Sequence, residues 1–165
     1  MERTLQVLNE LERDGVIRRY AIGGAMAAVF YMEPLLTYDL DVFVLLPPAA
    51  GELLSLSPLY ESLKQRGYPE EGECVNIEGV PVQFLPAYNR LVEEALQEAE
   101  ETRYEQTVTR VLRAEHLAAI MLQTGRAKDR QRLAAFLHEA PHDPLALQDI
   151  VRRHGLEERW REWVG

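Results

Sequence analysis

Residues 38–46 read Tyr38-Asp39-Leu40-Asp41-Val42-Phe43-Val44-Leu45-Leu46, and this run decides the fold. It is rich in β-branched and aromatic residues and closed by Pro47-Pro48, the pattern of a strand. Side chains alternate across a strand, so Asp39 and Asp41 share one face, roughly 7 Å apart at their Cα atoms. Leu40, Val42 and Val44 bury the other face, which anchors the strand while it presents the two acids. Just upstream, Arg19-Tyr20-Ala21-Ile22 is a short strand candidate running into Gly23-Gly24. A helix apolar nearly all round follows from Ala25 to about Met32 and stops at Pro34. Residues 2–14 precede this block as an amphipathic helix with Leu5, Leu8 and Leu11 on one stripe and Gly15 past its end.

Downstream, residues 58–66 read as a helix ending at Gly67. Two strands over about 73–78 and 80–85 are joined at Glu78-Gly79, a hairpin signature. Residues 89–100 read as helical and about 105–111 as a last strand. From Ala114 the pattern is helical to the end, broken at Gly125 and divided by Pro141 and Pro144. Strands and helices mix first and helices alone follow. The expectation is an α+β fold (mixed α/β), a small mixed sheet flanked by helices with a helical C-terminal extension. The boundary falls near residue 112, giving an α/β core over 1–112 and a helical extension over 113–165 packed on it.

The chain has 165 residues, 47% of them hydrophobic, and a net charge of −9, too apolar and too weakly charged for a disordered chain. One cysteine, Cys74, rules out an intramolecular disulfide within this chain and leaves no Cys-rich zinc module. Charges occupy the opening residues Met1-Glu2-Arg3-Thr4, where a signal peptide would place its apolar region, and no apolar run is long enough to span a membrane. A cytoplasmic, non-membrane protein is expected. Residues 1–102 carry 7 basic and 18 acidic side chains, and residues 103–165 carry 11 basic and 9 acidic ones. An acidic body repels polyanions, so extended nucleic-acid binding is disfavoured. A small nucleotide held by a metal and a few local cations is not.

The chemistry centres on the two acids. Paired carboxylates on one strand face repel unless a cation lies between them, and Mg²⁺ or Mn²⁺ suits oxygen ligands. Gly23-Gly24 sits at a strand-to-helix turn, where exposed backbone N–H groups favour an anionic phosphate. Each feature alone has a plain structural alternative, ordinary turn punctuation for the glycines and a solvated sheet edge for the acids. Their order and spacing together are more specific.

Gly23-Gly24, a buried helix and then Thr37-x-Asp39-Leu40-Asp41-Val42-Phe43 resemble the signature of the nucleotidyltransferase superfamily that includes DNA polymerase β, above all its minimal and AbiEii-type toxin members. Val80-Pro81-Val82-Gln83-Phe84-Leu85-Pro86, Arg113-Ala114-Glu115-His116-Leu117 and Gly125-Arg126-Ala127-Lys128-Asp129 resemble later segments of that family. The resemblance implies Mg²⁺-dependent transfer of a nucleoside monophosphate from an NTP to an unknown acceptor. It implies Asp39 and Asp41 as catalytic metal ligands, Gly23, Gly24, Thr37 and Lys128 at the nucleotide, and Asp129 as a further catalytic acid. Two positions depart from the pattern. Gln83 stands where the family usually carries a third carboxylate, leaving only a weak amide ligand for the metal, and Met121 stands where AbiEii-like sequences carry a lysine. The alternative expectation is therefore a catalytically degenerate member of the family. It would bind a nucleotide or a helical partner protein, in the antitoxin-like role of a toxin–antitoxin pair.

Other residues read more plainly. Met121 shares a stripe with Leu117 and Ile120 and reads as core filler. Asp129 is either the catalytic acid or a helix N-terminal acid favoured by the macrodipole. His116, His138, His142 and His154 lack His-x₃-His or His-Glu-x-x-His spacing, which argues against zinc. Arg126, Lys128, Arg130 and Arg132 meet either a phosphate or their own helical neighbours on a solvated face. Trp160 and Trp163 share one face of a terminal helix and read as docking that helix, or a second subunit, rather than stacking on a base.

Overall fold

A computed structural model describes residues 1–23, 39–48 and 54–165. Gly24, Thr37 and the helix expected over 25–32 lie outside the described residues. The helices are α1 (Glu2–Arg13), α2 (Ser57–Gln65), α3 (Arg90–Gln97), α4 (Ala114–Thr124), α5 (Ala127–Glu139), α6 (Pro144–Arg153) and α7 (Glu157–Trp163). The strands are β1 (Arg19–Gly23), β2 (Leu40–Leu45), β3 (Glu70–Glu71), β4 (Cys74–Ile77), β5 (Val80–Pro86), β6 (Glu100–Tyr104) and β7 (Thr107–Val111). They form one mixed sheet in the order β3-β4-β5-β2-β1-β7-β6. The architecture is α+β, with helices on the sheet and helices alone from α4 onward.

The strand at residues 40–45 lies at the middle of the sheet, as its apolar run demands: Val42 and Val44 are fully buried and Phe43 nearly so. It runs antiparallel to β1, with Gly23 opposite Asp41, and parallel to β5, with Asp41 opposite Gln83. Strand alternation sorts the side chains of the sheet. Tyr20, Ile22, Val42, Val44 and Phe84 share the face that meets α1 and α2. There the Tyr20 hydroxyl bonds Asn9 of α1 at 2.7 Å and Thr109 of β7 at 2.9 Å, and the Tyr60 ring of α2 meets Phe84 edge-on. Ala21, Gly23, Asp41, Phe43 and Gln83 share the opposite face, covered by α3 and α4; from it Arg19 donates to the Leu96 carbonyl of α3 at 2.6 Å.

Two strands were absent from the sequence reading. β6 takes up residues just after α3, which ends at Gln97 rather than near 100, and β3 is a two-residue edge pairing with β4. Both lie at the ends of the sheet, and most of their residues are solvated, so neither carries an apolar alternation. The expected hairpin is present: Glu78 and Gly79 both adopt positive φ, 53° and 85°, between β4 and β5. The expected break at Gly125 is a left-handed C-cap with φ 72°. Beyond it, Arg159 of α7 donates to the Leu122 and Gln123 carbonyls at 3.0 and 2.9 Å, satisfying acceptors that a helix end leaves open. Trp160 and Trp163 pack on the core, and a single cluster of buried side chains runs from Leu5 to Leu156. No helix among the described residues is long and apolar enough to cross a membrane.

Candidate functional site

Asp41, Phe43, Gln83 and Leu85 form the sheet wall of a pocket of about 180 Å³. Leu117, Ile120, Met121 and Thr124 of α4 form the second wall, and Arg126, Asp129 and Arg132, at and beyond the start of α5, the third. Tyr88, 57% exposed, stands at the rim. The register explains the sheet wall. Asp41 and Gln83 are direct partners on adjacent strands, and Phe43 and Leu85 are partners two residues on, so all four project to one face. Asp39 lies one residue before β2 and is exposed, while Asp41 is half-buried.

The electrostatics are divided across the pocket. Burial and the neighbouring Asp39 carboxylate raise the Asp41 carboxyl to about 6, against the attraction of Arg126, Arg132 and Lys128. Among the described residues no hydrogen bond reaches that carboxylate, and those guanidinium and ammonium groups act on it through their fields. This is the condition a divalent cation relieves, and the Asp39 and Asp41 carboxylates and the Gln83 amide are oxygen donors of the kind that could hold Mg²⁺ or Mn²⁺.

Asp129 is 2% exposed, on the α5 side of the same pocket. Its carboxylate accepts from the Arg126 guanidinium at 2.7 Å (Nε) and 3.2 Å (Nη2), and from the Arg126 backbone N–H at 3.3 Å. It is the third residue of α5, where an acid completes half of a capping box and meets the positive end of the helix dipole. The pairing also aims a guanidinium at the pocket: the bond to Asp129 and the field of Asp41 raise the Arg126 pKa, so its positive charge is fixed. Of the two readings of Asp129, the structure shows the helix N-terminal acid, with its Arg126 partner lining the same pocket as Asp41.

The remaining candidates separate. Gly23 lies opposite Asp41, and a Cβ there would run into the Phe43 ring, so its small size serves packing at the pocket floor. Lys128 is exposed and acts on Asp41 only through its field. Gly24 and Thr37 lie outside the described residues. Met121 is only partly buried and lines the pocket, so it is wall as well as filler. Tyr88 was not assigned to the site from sequence, and Arg126 and Arg132 were left between a phosphate and a solvated helix face. Alternating charges on a helix read as a solvated face, and the signal for Arg126 was its place three residues before an acid at a helix start. No family model matches this chain, and no curated protein sequence matches it.

Proposed function

We propose that this protein binds a nucleoside triphosphate with a divalent cation and transfers its nucleoside monophosphate to an acceptor, as the resemblance to the nucleotidyltransferase superfamily implies. One observation carries the reading: a carboxylate and two guanidinium groups line a single pocket, with Asp41 beside the Gln83 amide on the sheet and Arg126 and Arg132 on the α5 side. A metal–triphosphate needs both signs of charge within one small space. Asp39, Asp41 and Gln83 would hold the cation, which supplies charge neutralisation on the phosphate oxygens when bound. Arg126, fixed by Asp129, is placed to bind phosphate oxygens in its planar fork. Phe43, Leu117, Ile120 and the Tyr88 ring offer apolar surface for a base. The pocket volume of about 180 Å³ is below the usual range for a drug-sized ligand, so the described walls enclose part of a nucleotide, not all of it.

A second reading rests on Gln83. An amide cannot take the acceptor's proton, and Asp129 is already committed to Arg126. On that reading the pocket binds the nucleotide, or a helical partner protein, without turnover.

Calorimetric titration of each NTP with Mg²⁺ or Mn²⁺ tests the binding that both nucleotide readings need. Metal-dependent binding to the wild type, lost in Asp39→Asn/Asp41→Asn, is the expected result; no binding by the wild type at millimolar NTP would overturn it. Gln83→Asp then separates transfer from binding. Activity gained from an inactive parent marks the parent as a binding module, and an active parent rules that reading out.

A further inference from the structure

On another side of the molecule, the end of α3, the first turn of α4 and the end of α6 bring together a second polar cluster. His116 Nε2 lies 2.9 Å from Glu94 Oε2 and 3.2 Å from Glu98 Oε2. His154 Nε2 lies 3.3 Å from the same Glu94 oxygen. The other Glu94 oxygen accepts from Arg153, which also reaches the shared oxygen at 3.4 Å and pairs with Asp149. One ligand atom each from Glu94, Glu98 and His116 falls within 4.8 Å of the other two. A polar cavity of about 160 Å³, whose lining includes Glu98, His116, Arg113 and Asp149, opens beside them.

Three features mark this cluster as more than a surface ion-pair network. His116 is 1% exposed and, among the described residues, its Nδ1 has no hydrogen-bond partner, so the polar contacts of the ring are those of Nε2 with the two carboxylates. A single ring nitrogen cannot aim one N–H at two acceptors with good geometry for both. Donor separations of 2.9 and 3.2 Å also come close to the edge of a tetrahedron with metal–ligand bonds of about 2.0–2.1 Å, an edge of about 3.3 Å.

We propose that Glu94, Glu98 and His116 form a second site for a divalent cation, of the zinc class, with its open coordination positions facing the neighbouring cavity. The imidazole selects against Mg²⁺ and Ca²⁺, which prefer all-oxygen sets, and so separates this site from Asp39 and Asp41. Arg153 on the distal Glu94 oxygen is a suitable outer partner for a ligating carboxylate. An ion here ties α3 to α4 and, through Glu94, to α6. Sequence spacing gave no sign of it because the ligands come from separate helices and only Glu94 and Glu98 are local neighbours, four residues apart.

The test is titration of the tag-free, metal-stripped protein with Zn²⁺ by calorimetry and with Co²⁺ by visible absorption. The wild type is expected to bind one Zn²⁺ per chain at this site, gain thermal stability and give the intense visible bands of four-coordinate Co²⁺. Glu98→Gln, at a half-exposed residue, keeps the apo fold by circular dichroism and weakens Zn²⁺ binding about tenfold or more. Asp39→Asn/Asp41→Asn leaves that binding unchanged. Absence of Zn²⁺ binding by the wild type overturns the proposal. So does binding equally tight in Glu98→Gln, or binding abolished by the Asp39/Asp41 pair instead.

Discussion

Burial and the Asp39 charge lift Asp41 from 3.8 to about 6, and the direction of that shift fixes its effect on stability. Between those values the folded chain holds a proton that the unfolded chain has released, so stability falls as pH rises through that window, and the full cost of the ionised group is present above it. Asp41→Asn removes that cost. It is expected to raise stability at pH 7.5 by about 2 kcal/mol, with a Tm gain of about 5 °C that shrinks to nothing near pH 4 by differential scanning calorimetry. A stabilising loss of a carboxylate is the mark of a group kept for binding rather than folding. If the proposed function holds, affinity for Mg²⁺ at this pocket falls by the same ionisation as pH drops through about 6, seen by calorimetry. Gly23 is the opposite kind of residue. Gly23→Ala pushes a methyl into the Phe43 ring and is expected to cost about 1–3 kcal/mol in urea unfolding, with part of the loss recovered in Gly23→Ala/Phe43→Leu. The sequence made both residues conspicuous. It could not tell that the smallness of Gly23 serves a ring from its own sheet face, because that contact crosses two strands.

Among the elements, β1 and β7 pair in parallel only at Ile22 and Val111, with Leu112 N–H closing on the Ile22 carbonyl. Beyond that point two side chains stand in for a ladder. Glu12 accepts from the Tyr20 N–H at 3.2 Å, and Arg110 donates to the Tyr20 carbonyl at 3.2 Å. Arg110 and Glu12 also bond each other twice, at 2.6 and 3.0 Å. Removing one partner strands the other, half-buried and charged. Glu12→Gln should therefore cost about 1–3 kcal/mol by chemical denaturation and speed hydrogen exchange at the Tyr20 amide, while distant amides keep their protection. A local cap is worth less: Asn89→Ala removes the acceptor for the Val92 N–H and should cost about 1 kcal/mol. Elements with a strong local code were legible. The Glu78-Gly79 turn, the Gly125 cap and the apolar stripe of α1 all express themselves within a few residues. β6 was not legible, because a solvated edge strand has no periodic burial to reveal it and takes its identity from β7 alone.

For the molecule as a whole, the continuous core implies one cooperative unit despite the change from mixed to helical sequence near residue 112. Trp160 and Trp163 sit in the last helix and report on the C-terminal end, whereas far-ultraviolet dichroism reports on every element. The two signals should trace the same urea transition; a separate, earlier fluorescence transition would mean that the helices unfold independently. The overall α+β arrangement could be read from the chain because its strongest strand is also its central one. The pocket was legible in part: the resemblance put Asp41, Gln83 and Asp129 at one site, but Tyr88 and the Arg126–Asp129 pairing come to the sheet by tertiary packing. Asp41 and Arg126 are separated by most of the fold in sequence, yet they face one another across the same small space. During synthesis the carboxylates therefore emerge long before the guanidinium that balances them. A nascent or truncated chain ending before Arg126 carries the acidic side of the pocket without its cationic wall, so the two signs of charge meet there only once residues 126–132 have been made and packed.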